Sequence, residues 1–176
     1  MATTSRPPVS ETRIVLADGR EVVIRELLPT DEAALVAAVE SADEADLRRR
    51  FMGCPPPISA IVERLRQADG WHNFALGAFS AHGELVGIAQ FDRIDDESST
   101  AEIAIEVADG WQTRGLGTAL LERLAECARE RGVHRFTATF FADNAPLRRL
   151  LRDFAPLVQP TYEAGEGYLE LDLERA

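Results

Sequence analysis

The stretch from Ala101 to Cys127, AEIAIEVADGWQTRGLGTALLERLAEC, constrains the fold more than any other part of the chain. Residues 101–107 alternate and are rich in Ile and Val, the pattern of a β-strand. Ala108-Asp109-Gly110-Trp111 makes a short turn, and Gln112-Thr113-Arg114-Gly115-Leu116-Gly117-Thr118 leads into a strongly amphipathic helix. A strand, a glycine turn and a helix start bring free backbone N–H groups and the positive end of a helix dipole to one place. The combination predicts an anion site, and the anion expected is the phosphate of a cofactor.

The remaining chain supplies partners for this strand and helix. Residues 1–11 are polar, carry Pro7 and Pro8, and read as a flexible tail. Segments 12–16 and 21–26 read as strands joined by the hairpin pair Asp18-Gly19. Helices are predicted over 33–42, with Thr30 or Asp31 as N-cap, over 43–51, and over 60–68 with Ser59 as cap. Strands follow at 74–80 and 85–94, then the strand 101–107 and a helix over 115–131 that Gly132 stops. A strand at 133–141, a short helix from Asn144 to about Phe154, and closing strands at 157–162 and 168–173 complete the order. Hairpins dominate, with one strand–helix–strand crossover. The expectation is a single domain over 12–176 of the α/β (α+β) class: a mixed, mostly antiparallel, twisted sheet of about six to seven strands flanked by about four to five helices.

Composition removes several classes of partner. A net charge of −11 opposes binding to nucleic acid or to an anionic membrane surface. The first residues, MATTSRPPVS, lack the apolar run of a signal peptide or a span, so a cytoplasmic location is expected. Cys54 and Cys127 are in no metal-spaced pair, His72, His82 and His134 are scattered, and Asp92, Asp95, Asp96 and Glu97 lack calcium-loop spacing; no metal is expected. Arg48-Arg49-Arg50 reads as a solvated helix end or as a guide for an acidic acceptor protein. Monomer and homodimer are both open.

Three phosphate-binding patterns compete for the glycine turn. A Walker A loop needs Gly-Lys-Ser/Thr, but Gly117 is followed by Thr118 and the chain contains no lysine at all. A dinucleotide fingerprint needs Gly or Ala where Leu120 stands, and His134-Arg135 replaces the acidic ribose partner. What remains is Gln112-x-x-Gly115-x-Gly117 opening a helix after a strand, with Arg114 beside it as a source of positive charge. The alternative is a glycine turn that only connects strand to helix.

This Gln-x-x-Gly-x-Gly, after Ile105-Glu106-Val107 and before Leu120-Leu121, resembles the cofactor motif of the GNAT superfamily of N-acetyltransferases, and the element order resembles that fold over 12–174. The resemblance implies acetyl-CoA as co-substrate. It places the diphosphate on the backbone amides of Gln112, Thr113, Arg114, Gly115, Leu116, Gly117 and Thr118, and the pantetheine arm along Ile105 and Val107. It gives Asn144 a polar contact to the cofactor, against its plainer reading as an N-cap.

Strand alternation puts Glu102, Ala104 and Glu106 on one face, where a central strand should be apolar. Buried charge without a use is costly, so this face is a candidate cleft. An amine acceptor arrives protonated, and a carboxylate near the thioester can take its proton. Ala101-Glu102 followed by Ile-Ala, together with LRRRFMG at 47–53, resembles the bacterial Pat-type protein lysine acetyltransferases, which implies Glu102 as the base. Glu106 reads as a rim or cofactor-side residue, and an ion pair from Glu102 to a neighbouring arginine stays open. Many superfamily members carry a tyrosine as general acid where this chain has Leu151, and the following Gly-Phe pair appears as Ala155-Pro156; Tyr162 and Tyr168 are weak substitutes. The expected activity is acetyl transfer to an acceptor amine, a protein lysine or a small amine. The alternative is a catalytically weak acetyl-CoA-binding module that regulates a partner.

Overall fold

Short turns and loops fold some successive strands back on each other, and helical segments over 29–67, 116–130 and 145–154 join the others. The computed structural model describes residues 9–95, 99–154 and 159–174. Its strands are β1 Thr12–Val15, β2 Glu21–Glu26, β3 Asn73–Ser80, β4 Leu85–Arg93, β5 Thr100–Val107, β6 Arg135–Phe141, β7 Thr161–Glu163 and β8 Glu166–Asp172. They form one sheet in the order β1-β2-β3-β4-β5-β6-β8-β7. Every neighbouring pair is antiparallel except β5 and β6, which the crossover helix makes parallel. The sheet has eight strands, more than expected, because the short edge strands β1 and β7 both pair. The expected strand at 157–162 appears as β7, starting only at Thr161: Gln159 and Pro160 are not in a strand, and Leu157 and Val158 lie outside the described residues.

The helices are α1 Glu32–Ser41, α2 Glu44–Arg50, α3 Ile58–Gln67, α4 Leu116–Glu130 and α5 Ala145–Phe154. Two caps differ from expectation. A 3-10 turn over Pro29–Asp31 precedes α1, and the Asp31 side chain makes no cap bond to it. Asp31 instead accepts from Arg25 at 2.7 and 2.8 Å and from the Leu28 N–H at 2.9 Å, a charge-assisted set stronger than a cap bond. Pro57, with its preset φ, opens α3, which leaves Ser59 inside the first turn. Asp43 caps α2 by accepting from the Ala45 N–H at 2.7 Å.

The main core lies between α4 and the sheet. Leu116, Leu120, Leu121, Leu124, Ala125 and Ala128 recur at helical spacing, are buried, and pack with Phe74, Leu76, Phe91 and Phe136. A smaller cluster on the opposite face joins Leu27, Leu35, Leu65, Phe79, Leu85 and Ile88 under α1 and α3. Cys127 is fully buried, as its place on the apolar face of α4 predicts. Truncating Leu124, which is 0% exposed, to Ala should lower stability by about 2–5 kcal/mol, read from urea unfolding at unchanged m-value.

The C-terminal end of α4 is pinned by a buried cation. Arg131 donates to the Gly70 and Cys127 carbonyls, both at 2.8 Å, with its guanidinium 4.3 Å from the Phe74 ring centroid. The turn that offers Gly70 is built on Asp69, which accepts from the Trp71 and His72 N–H groups at 2.7 Å each and meets the His72 ring at 2.5 Å. Burial alone would raise the Asp69 pKa, but these hydrogen bonds outweigh it and hold the carboxyl at about 2. A depressed acid stabilises the fold above its unfolded pKa of about 4 and loses that contribution as pH falls toward 2. The stability difference between the wild type and Asp69→Asn should therefore be constant above about pH 4 and shrink below it, measured by urea titration at each pH.

Candidate active site

Near the middle of the sheet two strands part. β5 and β6 pair only at Thr100–Arg135, Ala101–Phe136 and Glu102–Thr137. Beyond Glu102, β5 stays on β4 as far as Val107, and β6 stays on β8 as far as Phe141. The edge of β5 from Ile103 to Val107 thus has no strand partner among the described residues. A cavity of about 1000 Å³ opens in this fork, lined by 102–107 on one side and by Ala138, Thr139 and Phe140 on the other.

The glycine turn closes one end of the cavity. Gln112 donates from Nε2 to the Val107 carbonyl at 3.0 Å and to Asp109 Oδ1 at 3.2 Å, so its side chain braces the turn against the strand end. Thr113 has φ 60° and Gly115 φ 90°, and left-handed residues in such a turn make backbone N–H groups converge. The first backbone bond into α4 runs from the Ala119 N–H to the Gly115 carbonyl, so the N–H groups of 116–118 precede the ladder. Gly115 needs its glycine for φ. Gly117 does not have a positive φ, and a Cβ there would come no closer than 3.5 Å to a protein atom. Neither backbone nor packing requires glycine at 117; close approach of a ligand would.

Gln112, Thr113, Gly115, Gly117 and Thr118 line the cavity with Ile105, Val107 and Asn144. Leu116 is 1% exposed with its side chain in the core, so it can offer only backbone. Arg114 does not line the cavity: its Nε reaches Asp18 Oδ2 and the Gly110 carbonyl, both at 3.1 Å, tying the turn to the β1–β2 hairpin. Asn144 accepts from the Leu147 N–H at 3.1 Å, the N-cap bond of α5.

Glu102, Ala104 and Glu106 share the face of β5 turned toward α2, and all three line the cavity. The two carboxylates live in different surroundings. Glu102 is exposed and makes no hydrogen bond or ion pair to a described residue. Glu106 is largely enclosed, with Oε2 3.3 Å from Arg50 Nε. Burial pushes the Glu106 pKa up and nearby Asp46 adds to it, while Arg50 opposes them. Arg50 is itself enclosed, and burial draws its pKa down. The sequence reading of Arg48–Arg50 as a solvated helix end holds for the exposed Arg48 and fails for Arg50, which turns inward. α2 lies across the fork, reaching β5 through Arg50 and β6 through Arg48, whose guanidinium is 5.1 Å from the Phe141 ring centroid. The unanswered Glu106 on β5 was the one signal that an arginine elsewhere must turn inward.

Leu151 is buried in α5 and has no hydroxyl to offer. Ala155-Pro156 lies outside the described residues. Tyr162 and Tyr168 are 51% and 45% exposed on β7 and β8 and do not line the cavity. No group of residues able to hold a metal ion, and no helix long and apolar enough to cross a membrane, occurs among the described residues.

A parted parallel pair, a helix N-terminal cradle at its open end and carboxylates along the inner strand define an acyltransferase architecture. Residues 39–155 match the Acetyltransferase (GNAT) family, and the chain belongs to that family. It is 33% identical over 135 residues to acetyltransferase Pat of Mycolicibacterium smegmatis, covering 76% of this chain but only 40% of that protein. Its fold is similar to the GNAT domain of S. lividans PAT, with a TM-score of 0.84 and 30% identity over 92% of this chain and 96% of that one. It also shares the fold of yncA from Salmonella typhimurium, solved with its cofactor acetyl-CoA, at a TM-score of 0.70 and 21% identity over 88% of this chain and 95% of that one.

The Glu106 assignment is open to direct measurement. In a carbon-detected NMR titration its carboxyl should titrate above the ordinary glutamate value of 4.5, and Arg50→Met, which removes the opposing charge, should move it higher still.

Proposed function

We propose that this domain transfers the acetyl group of acetyl-CoA to a primary amine, a protein lysine in the first instance, with Glu102 as general base. The observation that carries the reading is the run of one open strand edge from the α4 cradle to an exposed carboxylate at the fork. Bound acetyl-CoA supplies an acyl thioester with a thiol leaving group. The backbone N–H groups at 112–118 hold its diphosphate, helped by the α4 dipole, and the open edge at Ile105 and Val107 receives the pantetheine arm. Asn144, its side-chain oxygen engaged as a cap, keeps its amide N–H₂ for the cofactor.

Glu102 takes the proton of the arriving ammonium, directly or through water, so that the free amine can attack. Its lack of a partner among the described residues favours it over Glu106, whose charge is tied to Arg50. The acceptor assignment draws on the resemblance of Ala101-Glu102 and of residues 47–53 to Pat-type lysine acetyltransferases and on the net charge of −11, which suits a basic acceptor. Glu102→Gln should cut turnover by about 10²–10⁴-fold with acetyl-CoA affinity by calorimetry nearly unchanged. Undiminished turnover at neutral pH would remove Glu102 from the mechanism.

Leu151 favours a second reading, a catalytically weak acetyl-CoA-binding module that regulates a partner, because no hydroxyl stands ready there to protonate the departing thiolate. Thiol release across a panel of amines and lysine peptides separates the two. Tight acetyl-CoA binding with no release on any acceptor would establish the module.

A further inference from the structure

The cavity wall beneath α2 carries a polar relay that acid–base chemistry alone does not call for. Arg64 meets Asp92 at 2.5 Å, and Asp92 also accepts from Asn73 Nδ2 and Gln90 Nε2, each at 3.2 Å. The carbonyl oxygen of Gln90 accepts from Arg50 NH2 at 2.7 Å, and Arg50 Nε faces Glu106 at 3.3 Å. The relay spans β3, β4 and β5 and holds the Arg50 guanidinium on two of its three nitrogens. The third, NH1, is buried and meets no acceptor among the described residues.

A buried guanidinium donor left unmade is costly, and networks of this kind otherwise satisfy every member. The Arg50 side chain is only 7% exposed, lines the cavity, and lies on the face of β5 that also carries Glu102. A guanidinium only donates, so the partner it calls for is a hydrogen-bond acceptor, and a carbonyl or carboxylate oxygen is the strongest of these. No oxygen of the surrounding relay reaches NH1: the Gln90 oxygen lies on NH2, and the Glu106 carboxylate meets Nε.

We propose that Arg50 NH1 reads the acceptor, donating to a carbonyl or carboxylate oxygen on the molecule that brings the amine. The acceptor class is then an amine attached to an amino acid or peptide, and simple alkylamines are poor substrates. The inference rests on the acetyl-transfer reading above and adds to it a residue and a selectivity. The relay through Gln90 and Asp92 to Arg64 is what holds the guanidinium in place to do this.

The experiment compares kcat/KM for Nα-acetyl-lysine methylamide, free lysine and n-butylamine, in wild type and in Arg50→Lys, which keeps a charge beside Glu106 but loses the fork of donors. Wild type should prefer an oxygen-bearing acceptor over n-butylamine by about 10- to 100-fold, the worth of one hydrogen bond from a charged donor, and Arg50→Lys should collapse that ratio, mainly through KM. Preference for the methylamide identifies a carbonyl as the partner, and preference for free lysine a carboxylate. Melting temperature and acetyl-CoA affinity report whether the variant folds; if it does not, the wild-type ratio decides alone. Equal use of all three acceptors by the wild type overturns the inference and leaves acetyl transfer standing. An equal loss on all acceptors in Arg50→Lys also overturns it, assigning Arg50 to holding α2 and Glu106. No transfer to any amine overturns both readings.

Discussion

The parting of β5 from β6 is the constraint on which the site depends. Two parallel strands that pair for three residues and then separate leave backbone donors and acceptors facing each other across a gap. Edges of this kind are normally covered or blunted, yet here both line a cavity in the middle of a sheet. The separation is held from outside. β4 grips β5 along its full length and β8 does the same for β6, so neither strand can follow the other. α4 joins the two strands and presents its N-terminus at the open end, while α5 starts beside it with Leu150 against Gly117. The fold therefore creates an unpaired edge and a helix-dipole cradle by one topological step.

Charge on the inner strand follows from the same step. A strand with helices on both faces gains nothing from carboxylates, and pairing a buried acid with a buried arginine seldom stabilises a fold more than apolar packing would. Glu106 and Arg50 nevertheless face each other under α2, linked through Gln90 and Asp92 to Arg64. Such a relay is reasonable where the cavity has polar work to do. It also makes α2, a seven-residue helix, a bridge across the fork, with Arg50 on one bank and Arg48 against Phe141 on the other.

Local features were legible in the sequence, and features set by distant partners were not. Asp18-Gly19, Gly132 and the alternation of 101–107 place the strands and α4 within a residue or two, because turn chemistry and periodicity are local properties. The shared face of Glu102 and Glu106 is visible for the same reason. Which of them is enclosed depends on Arg50, remote in sequence and one of three adjacent arginines that look alike. The turning of Arg114 toward Asp18, and of Asp31 toward Arg25 instead of the helix it precedes, were likewise decided by the competition of tertiary ion pairs with local roles.

The spacing of the two carboxylates argues for a division of labour. Four residues along a strand span about 13 Å, so Glu102 and Glu106 cannot serve one reacting atom as a dyad. Glu106 lies nearer the cradle end, enclosed and facing Arg50; Glu102 lies at the fork, exposed and with no partner among the described residues. The guanidinium beside Glu106 holds that side chain in the wall, whereas the exposed side chain of Glu102 is open to solvent. One strand thus carries one carboxylate held against a guanidinium in the wall and one exposed at the fork, and the two are separated because a period of two keeps them on the same face but never at the same place.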